Sequence, residues 1–286
     1  MKTLYLHRKK INHHDFIKRT AHESDFTTLI KEPTLVYDAD TKELVVIYDI
    51  PNIDSVEVVE VLKRVKYHEG KRTRGLVSRS RIFGYRPRHP MRANYCSSTS
   101  LATEQPSEHS IVCNLATKIE DYYQKYYPEG YKRHLETTNE KIKGEWRING
   151  KSAFTSGIIN KNNPLKYHFD TGNFNDVYSM MMVFKEEVNG GFLSVPEYDV
   201  GFELVNNSVL MFDGQSLMHG VTPIKYKSNT GHRFSIVYYS LKQMWKCLEI
   251  SEEVLWARKR KTEREKLRAN MPEEHRQMLL GRRGKQ

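Results

Sequence analysis

His168-Phe-Asp170, then His219, then Arg233-Phe-Ser235 are the side chains of this chain best suited to joint chemistry. Two imidazoles and one carboxylate can hold an iron(II) ion on one face and leave the opposite positions open for a co-substrate and O2. A guanidinium soon after the distal histidine can grip a dicarboxylate such as 2-oxoglutarate through two parallel hydrogen bonds, and a serine beside it can add a third. On a strand, residues i and i+2 project from the same face. His168 and Asp170 can therefore reach one ion, and Arg233 and Ser235 can face one ligand. A lone His-x-Asp is weak among 12 histidines. The order His-x-Asp, intervening strands, His, Arg-x-Ser in a strand-rich region is much harder to reach by accident.

Elements able to position these groups are visible in the pattern. Leu35 to Tyr48 reads as two strands around a polar turn at Asp38 to Thr41, and Ser55 precedes a helix over 56–65 as a polar cap. The Arg-, Gly- and Pro-dense stretch from Lys71 to Arg88 predicts a loop or short strand. Ile111 to Tyr127 has helical spacing. Short apolar runs then follow at 154–159, 178–184, 191–195, 200–205, 208–212 and 234–241, with Asn189-Gly190-Gly191 and Asn206-Asn207 as turns, a texture that suggests a sandwich or jelly roll. The expected organisation is a basic α/β region over 1–104, packed on the core and contributing to substrate binding. A core follows over 105–248, then a basic helical tail over 249–286. Between Arg258 and Arg268 the tail reads as a solvated surface helix or as a phosphate-contacting one.

The formal net charge is +11 and the isoelectric point is near 9.4, which favours polyanionic partners and disfavours a small metabolite as the substrate. Cys96, Cys113 and Cys247 lack metal-ligand spacing and read as reduced thiols in a cytoplasmic setting. No segment has transmembrane length and the N-terminus has no signal-like apolar run, so a soluble intracellular protein is expected.

The flanks of the chemical residues carry a family resemblance. Lys166-Tyr-His-Phe-Asp-Thr-Gly-Asn173, Asn189-Gly-Gly-Phe-Leu-Ser-Val-Pro-Glu-Tyr198, Val209-Leu-Met-Phe-Asp-Gly-Gln-Ser-Leu-Met-His-Gly-Val-Thr-Pro-Ile224 and Arg233-Phe-Ser235 resemble the TET/JBP branch of 2-oxoglutarate- and iron(II)-dependent dioxygenases, which has bacteriophage relatives. The resemblance implies an α+β, mainly β fold, a double-stranded β-helix (distorted jelly roll) core with flanking helices. It implies Fe(II) on His168, Asp170 and His219, with 2-oxoglutarate and O2 as co-substrates, Arg233 on the distal carboxylate and Ser235 as its helper.

It further implies hydroxylation of the 5-methyl group of 5-methylcytosine or thymine in DNA, with succinate and CO2 as co-products. Asn173 corresponds to a base-contacting asparagine, and also reads simply as a turn residue after Gly172. Arg81, Arg86 or Arg88 could supply the family's base- and co-substrate-contacting arginine, or contact phosphate. Phe83, Tyr85 and Tyr95 could line the pocket mouth or pack in the core. The alternatives are a 2-oxoglutarate-dependent hydroxylase of RNA or protein side chains and a non-catalytic DNA-binding protein. DNA, single-stranded or with a flipped base, is the expected partner of a monomer. The cytoplasm, including that of a phage-infected bacterium, is the expected compartment.

Overall fold

A strand that is apolar on both faces has to be covered on both, and Ser179–Glu186 (SMMMVFKE) is such a strand, buried from Ser179 to Phe184. In a computed structural model describing residues 1–72, 76–89 and 95–272, helices cover one face of that strand and a second sheet covers the other. Residues 73–75, 90–94 and 273–286 lie outside the described residues, and with them Arg74 of the arginine-rich stretch and the end of the tail.

The N-terminal strands are β1 (Lys2–Leu6), β2 (Thr28–Ile30), β3 (Thr34–Asp38), β4 (Leu44–Asp49), β5 (His68–Arg72), β6 (Leu76–Arg86) and β7 (Ser97–Ser98). The central ones are β8 (Ser156–Lys161), β9 (Leu165–His168), β10 (Ser179–Glu186), β11 (Val188–Gly190) and β12 (Leu193–Val195). The last are β13 (Val200–Phe202), β14 (Ser208–Phe212), β15 (His219–Val221), β16 (Ile224–Tyr226) and β17 (His232–Tyr239). The helices are α1 (His13–Phe16), α2 (Val56–Arg64), α3 (Ser100–Glu104), α4 (Pro106–Tyr126), α5 (Pro128–Lys141) and α6 (Ile250–Ala269).

The large sheet runs β1-β3-β4-β14-β10-β17-β8-β6-β5, with β7 on β6; the small one runs β2-β13-β12-β15-β9. Strand alternation divides the core in two. Met180, Met182 and Phe184 of β10 and Phe234, Ile236 and Tyr238 of β17 pack against Val61 and Leu62 of α2 and Val112, Leu115 and Ile119 of α4. The neighbours in between, Met181 and Val183, meet Leu193, Val195, Val200 and Phe202 of the small sheet. This is a double-stranded β-helix with helices on one side. The 1–104 segment is woven into it: β1, β3 and β4 extend one end of the large sheet, β5 and β6 the other, and β2 pairs with β13.

Several expectations change here. Of the two readings of the Lys71–Arg88 stretch, loop or short strand, the strand holds and is longer than expected: β6 spans Leu76–Arg86 and pairs with β5 and β8. Its arginines tolerate the sheet because Arg79 is paired with Glu69 and Arg81 with Glu104. Gly84 (φ +73°) turns the strand where a Cβ would lie 2.7 Å from the Thr155 carbonyl oxygen. Helix α2 begins after Ser55, yet the Asp54 carboxylate, not the Ser55 hydroxyl, accepts the Val56 N–H at 3.2 Å. The turn after β3 is as read, with Asp38 Oδ1 accepting the Asp40 and Thr41 amides at 2.8 and 2.9 Å. The reading of three reduced thiols is corrected: Cys96 and Cys247 form a disulfide, and Cys113 is free and buried. The partners are 151 residues apart in sequence, so only the folded path from β7 to the end of β17 brings them together.

Candidate metal and co-substrate site

His168 and His219 are direct cross-strand partners at the ends of β9 and β15, so the sheet register itself sets the two imidazoles side by side, ring centres 4.4 Å apart. Asp170 lies just past the end of β9, where its N–H donates to the Gly214 carbonyl at 2.8 Å. Position 214 has to be glycine for this approach, since a Cβ there would fall 2.4 Å from Asp170 Oδ2. Asp170 Oδ1 stands 3.5 Å from His168 Nε2 and 3.8 Å from His219 Nε2. One ligand atom from each residue lies within 4.8 Å of the others, near enough for a single ion to bridge them.

The protonation pattern suits a cation. His168 Nδ1 lies 2.7 Å from the Lys166 carbonyl and His219 Nδ1 3.0 Å from the Leu217 carbonyl. A carbonyl can only accept, so each Nδ1 carries the proton and each Nε2 lone pair is left for a metal. Burial pushes the Asp170 pKa up, but the adjoining His219 and His168 outweigh it and hold the carboxyl below its ordinary value. Burial lowers the His219 pKa against the pull of Asp170. Phe212 packs edge-on against His219 at 4.9 Å.

Across the core, Arg233, Ser235, Val237 and Tyr239 share the face of β17 turned toward the small sheet. Val237 and Tyr239 line a cavity of about 360 Å³ that also contains His168, Asp170, His219 and Asn173. Arg233 is 1% exposed, and its Nε and Nη2 have no hydrogen-bond partner. Burial lowers its pKa to about 10, so it stays charged at neutral pH. Gly191 packs on it, where a Cβ would come 2.9 Å from its Cδ and Nε. Its cross-strand neighbour Lys185 is also cationic. A buried guanidinium with two idle donors is costly until an anion fills them. The donor set thus fits both a divalent metal and a carboxylate co-substrate.

Other sequence-nominated residues are distributed unevenly. Ser235 is buried and its Oγ sits 3.5 Å from Asn160 Nδ2. Asn173 lines the cavity and donates to Ser179 Oγ at 3.1 Å. Arg81 is not brought there: it shares the helix-facing side of β6 with Phe83, bonded to Glu104 and His68. Arg86 donates to Ser97 Oγ at 2.7 Å and Arg88 to Glu253. Phe83 is fully buried against Tyr238, and Tyr85 packs on Trp146, so both belong to the core. Tyr95 lines a separate cavity beside α6. Sequence reasoning missed Asn160 and Tyr239; extending the period-two count from Arg233 through Ser235 and Val237 reaches Tyr239, whereas nothing in the sequence marks Asn160.

A double-stranded β-helix with two histidines and a carboxylate on one sheet and a buried arginine on the other defines an oxygenase-type centre. Residues 84–242 match the family Tet_JBP, described as the oxygenase domain of the 2OGFeDO superfamily, and the chain belongs to that family. It is 29% identical over 146 residues to Thymine dioxygenase JBP1 of Trypanosoma brucei brucei, covering 50% of this chain and 17% of that protein. It is 28% identical over 118 residues to Bifunctional helicase and thymine dioxygenase JBP2 of Leishmania braziliensis, covering 41% and 11%. The chain therefore spans less than a fifth of these curated relatives. NgTET1, solved in complex with 5mC DNA, superposes with a TM-score of 0.57 at 14% identity, over 80% of this chain and 89% of that one, a likeness of fold.

Proposed function

We propose that the protein is an Fe(II)- and 2-oxoglutarate-dependent dioxygenase that hydroxylates the 5-methyl group of a pyrimidine base in DNA, 5-methylcytosine or thymine. The observation that carries the reading is the pairing, across one core, of the His168–Asp170–His219 cluster with the partnerless Arg233 guanidinium. The names of the relatives, two thymine dioxygenases and a protein bound to 5mC DNA, support the choice of substrate.

His168, Asp170 and His219 would hold the iron, and Arg233, with Ser235 beside it, the distal carboxylate of 2-oxoglutarate. Bound iron supplies the oxidising chemistry that couples decarboxylation of 2-oxoglutarate to succinate and CO2 with methyl hydroxylation. The protein's part is to orient and to exclude water. Leu165, Leu193 and Val221 keep the walls apolar, while Asn173, held by Ser179, offers its amide to an uncharged base edge. A site recessed in this way takes a base only when it leaves the stack. The basic 1–104 region and the exposed Arg258, Lys259, Arg264 and Lys266 of α6 would meet the phosphates.

The test is to load the purified chain anaerobically with Fe(II), add 2-oxoglutarate and O2 with methylated or unmodified DNA, and quantify nucleosides by mass spectrometry. 5-Hydroxymethylcytosine from methylated DNA alone assigns 5-methylcytosine, and 5-hydroxymethyluridine from either DNA assigns thymine. Succinate without an oxidised base rejects DNA as the substrate.

A further inference from the structure

Glu197 is a carboxylate, 1% exposed, on the short turn Pro196–Tyr198 after β12. Its Oε2 accepts the Met218 N–H at 2.8 Å. Its Oε1 accepts Arg8 Nη2 at 2.9 Å and lies 3.2 Å from His13 Nε2. Met218 N–H and the Leu217 carbonyl belong to one peptide group, and that carbonyl is the acceptor of His219 Nδ1–H at 3.0 Å. A continuous chain therefore runs from carboxylate through peptide to imidazole and ends at the Nε2 lone pair facing Asp170. Hydrogen bonds in series polarise one another, and a carboxylate is the strongest acceptor available to start such a series.

The other histidine has the same wiring with a neutral terminus. His168 Nδ1 is bonded to the Lys166 carbonyl at 2.7 Å, and the N–H of that peptide group, Tyr167 N–H, donates to the Arg19 carbonyl at 3.0 Å. Both supports draw on residues 8–19, which run along the small sheet. In the same segment His13 packs edge-on to Phe169, between the first two ligands, at 5.2 Å.

We propose that Glu197 is a positioning residue for the metal centre, acting on His219 through the Leu217–Met218 peptide group to fix its tautomer and strengthen it as a ligand. The negative charge is what matters, and Arg8 tempers it. The proposal rests on His168, Asp170 and His219 being the metal ligands. Outer partners of ligating histidines commonly contribute about 10–100-fold to metal affinity.

The experiment is an anaerobic Co(II) titration of the full chain at pH 8, read by visible absorption, for the wild type, His219→Ala, Glu197→Gln and Arg8→Ala. Glu197→Gln keeps an acceptor for Met218 N–H but loses the charge. It is expected to weaken Co(II) about tenfold or more and to shift the absorption bands. Arg8→Ala leaves the charge untempered and should bind Co(II) as tightly as the wild type or more tightly. A clamp that merely held the N-terminal arm would be loosened by both, so opposite behaviour of the two variants is the signature. If Glu197→Gln binds within twofold of the wild type with unchanged bands, or if Arg8→Ala weakens binding as much, the proposal fails while the ligand assignment stands. If wild type and His219→Ala bind Co(II) alike, the ligand assignment fails and takes the proposal with it. If Glu197→Gln does not fold, Arg8→Ala decides: weaker binding overturns the proposal, equal or tighter binding supports it.

Discussion

At the metal end of the core, both imidazoles have their far nitrogens bonded to backbone carbonyls and only the inward Nε2 atoms face the cavity. At the Arg233 end the opposite holds: the backbone N–H is bonded to Asn162 Oδ1 at 2.6 Å, while the guanidinium Nε and Nη2 have no partner. The histidines are thus satisfied before any ion arrives, and neutral imidazoles beside one carboxylate cost little to keep. The arginine is a buried charge whose Nε and Nη2 gain nothing from the fold to offset their desolvation. The two ends should respond differently to mutation: one loses a ligand, the other loses a liability of the unliganded protein.

The largest effect is expected from Asp170→Ala. It removes the one carboxylate of the three candidate ligands, so Co(II) binding and turnover should both fall by about three orders of magnitude or more, as befits groups that act as a unit. Unfolding of the metal-free protein should shift by no more than a few degrees, because the residue lines an open cavity. Retention of turnover would refute the metal assignment.

Arg233→Met tests the other end. Losing one partner of a buried charged pair costs about 2–5 kcal/mol, so KM for 2-oxoglutarate should rise on the order of a hundredfold while Co(II) affinity stays within twofold. Without co-substrate the variant should be more stable than the wild type by roughly 1–3 kcal/mol, since an unpaired buried charge is gone. In the wild type, 2-oxoglutarate should raise Tm by mass action, and in the variant it should not. A destabilised Arg233→Met would show that the guanidinium has a partner within the fold.

How far the sequence disclosed this contrast depends on what fixed each residue. The His168–Asp170–His219 cluster and Arg233 could be picked out as candidates because the chemistry restricts their types and strand periodicity restricts their spacing. Even so, Asp170 reaches the site from beyond the strand end, by way of Gly214, and not by the simple i, i+2 rule. The composition of β6 fits a loop as well as a short strand, and only pairing with β5 and β8 and the ion partners Glu69 and Glu104 make a long strand of it. Arg81 is a candidate for the cavity by residue type, but alternation along that strand, whose register no local pattern marks, turns it to the opposite face. Glu197 was quoted only as part of a motif. Its meaning depends on Arg8, 189 residues away, and a single sequence carries no record of such contacts.

The Cys96–Cys247 bridge was hidden for the same reason, and it can be counted directly. Denatured, unreduced protein should titrate one thiol, from Cys113, where three reduced cysteines would titrate three. Cys247→Ser should lower stability by about 3 kcal/mol through the long loop it opens, with 2-oxoglutarate affinity unchanged because neither cysteine lines the cavity.

A third imidazole sharpens the comparison. His134 is completely buried, with Nε2 2.9 Å from Ser240 Oγ and Nδ1 without a partner. Burial lowers its pKa from 6.5 to about 3, assisted by the charges of Arg133 and Arg147. Between those values the unfolded chain binds a proton that the folded chain refuses, so stability falls as pH drops below 6.5. By linkage the loss is about 2 kcal/mol at pH 5. Buried His219 of the metal-free protein adds to it with the same sign. Saturating Co(II) should steepen the slope further, because a metal on the folded state keeps His219 unprotonated there while the unfolded chain still binds its proton, and should leave the His134 contribution intact. His134→Phe, packed among Phe154, Phe174 and Tyr123, should make the slope shallower and leave the His219 contribution in place. Denaturant unfolding at pH 7 and pH 5, with and without Co(II), separates the two. A pH slope that His134→Phe left unchanged would mean that His134 does not titrate on unfolding.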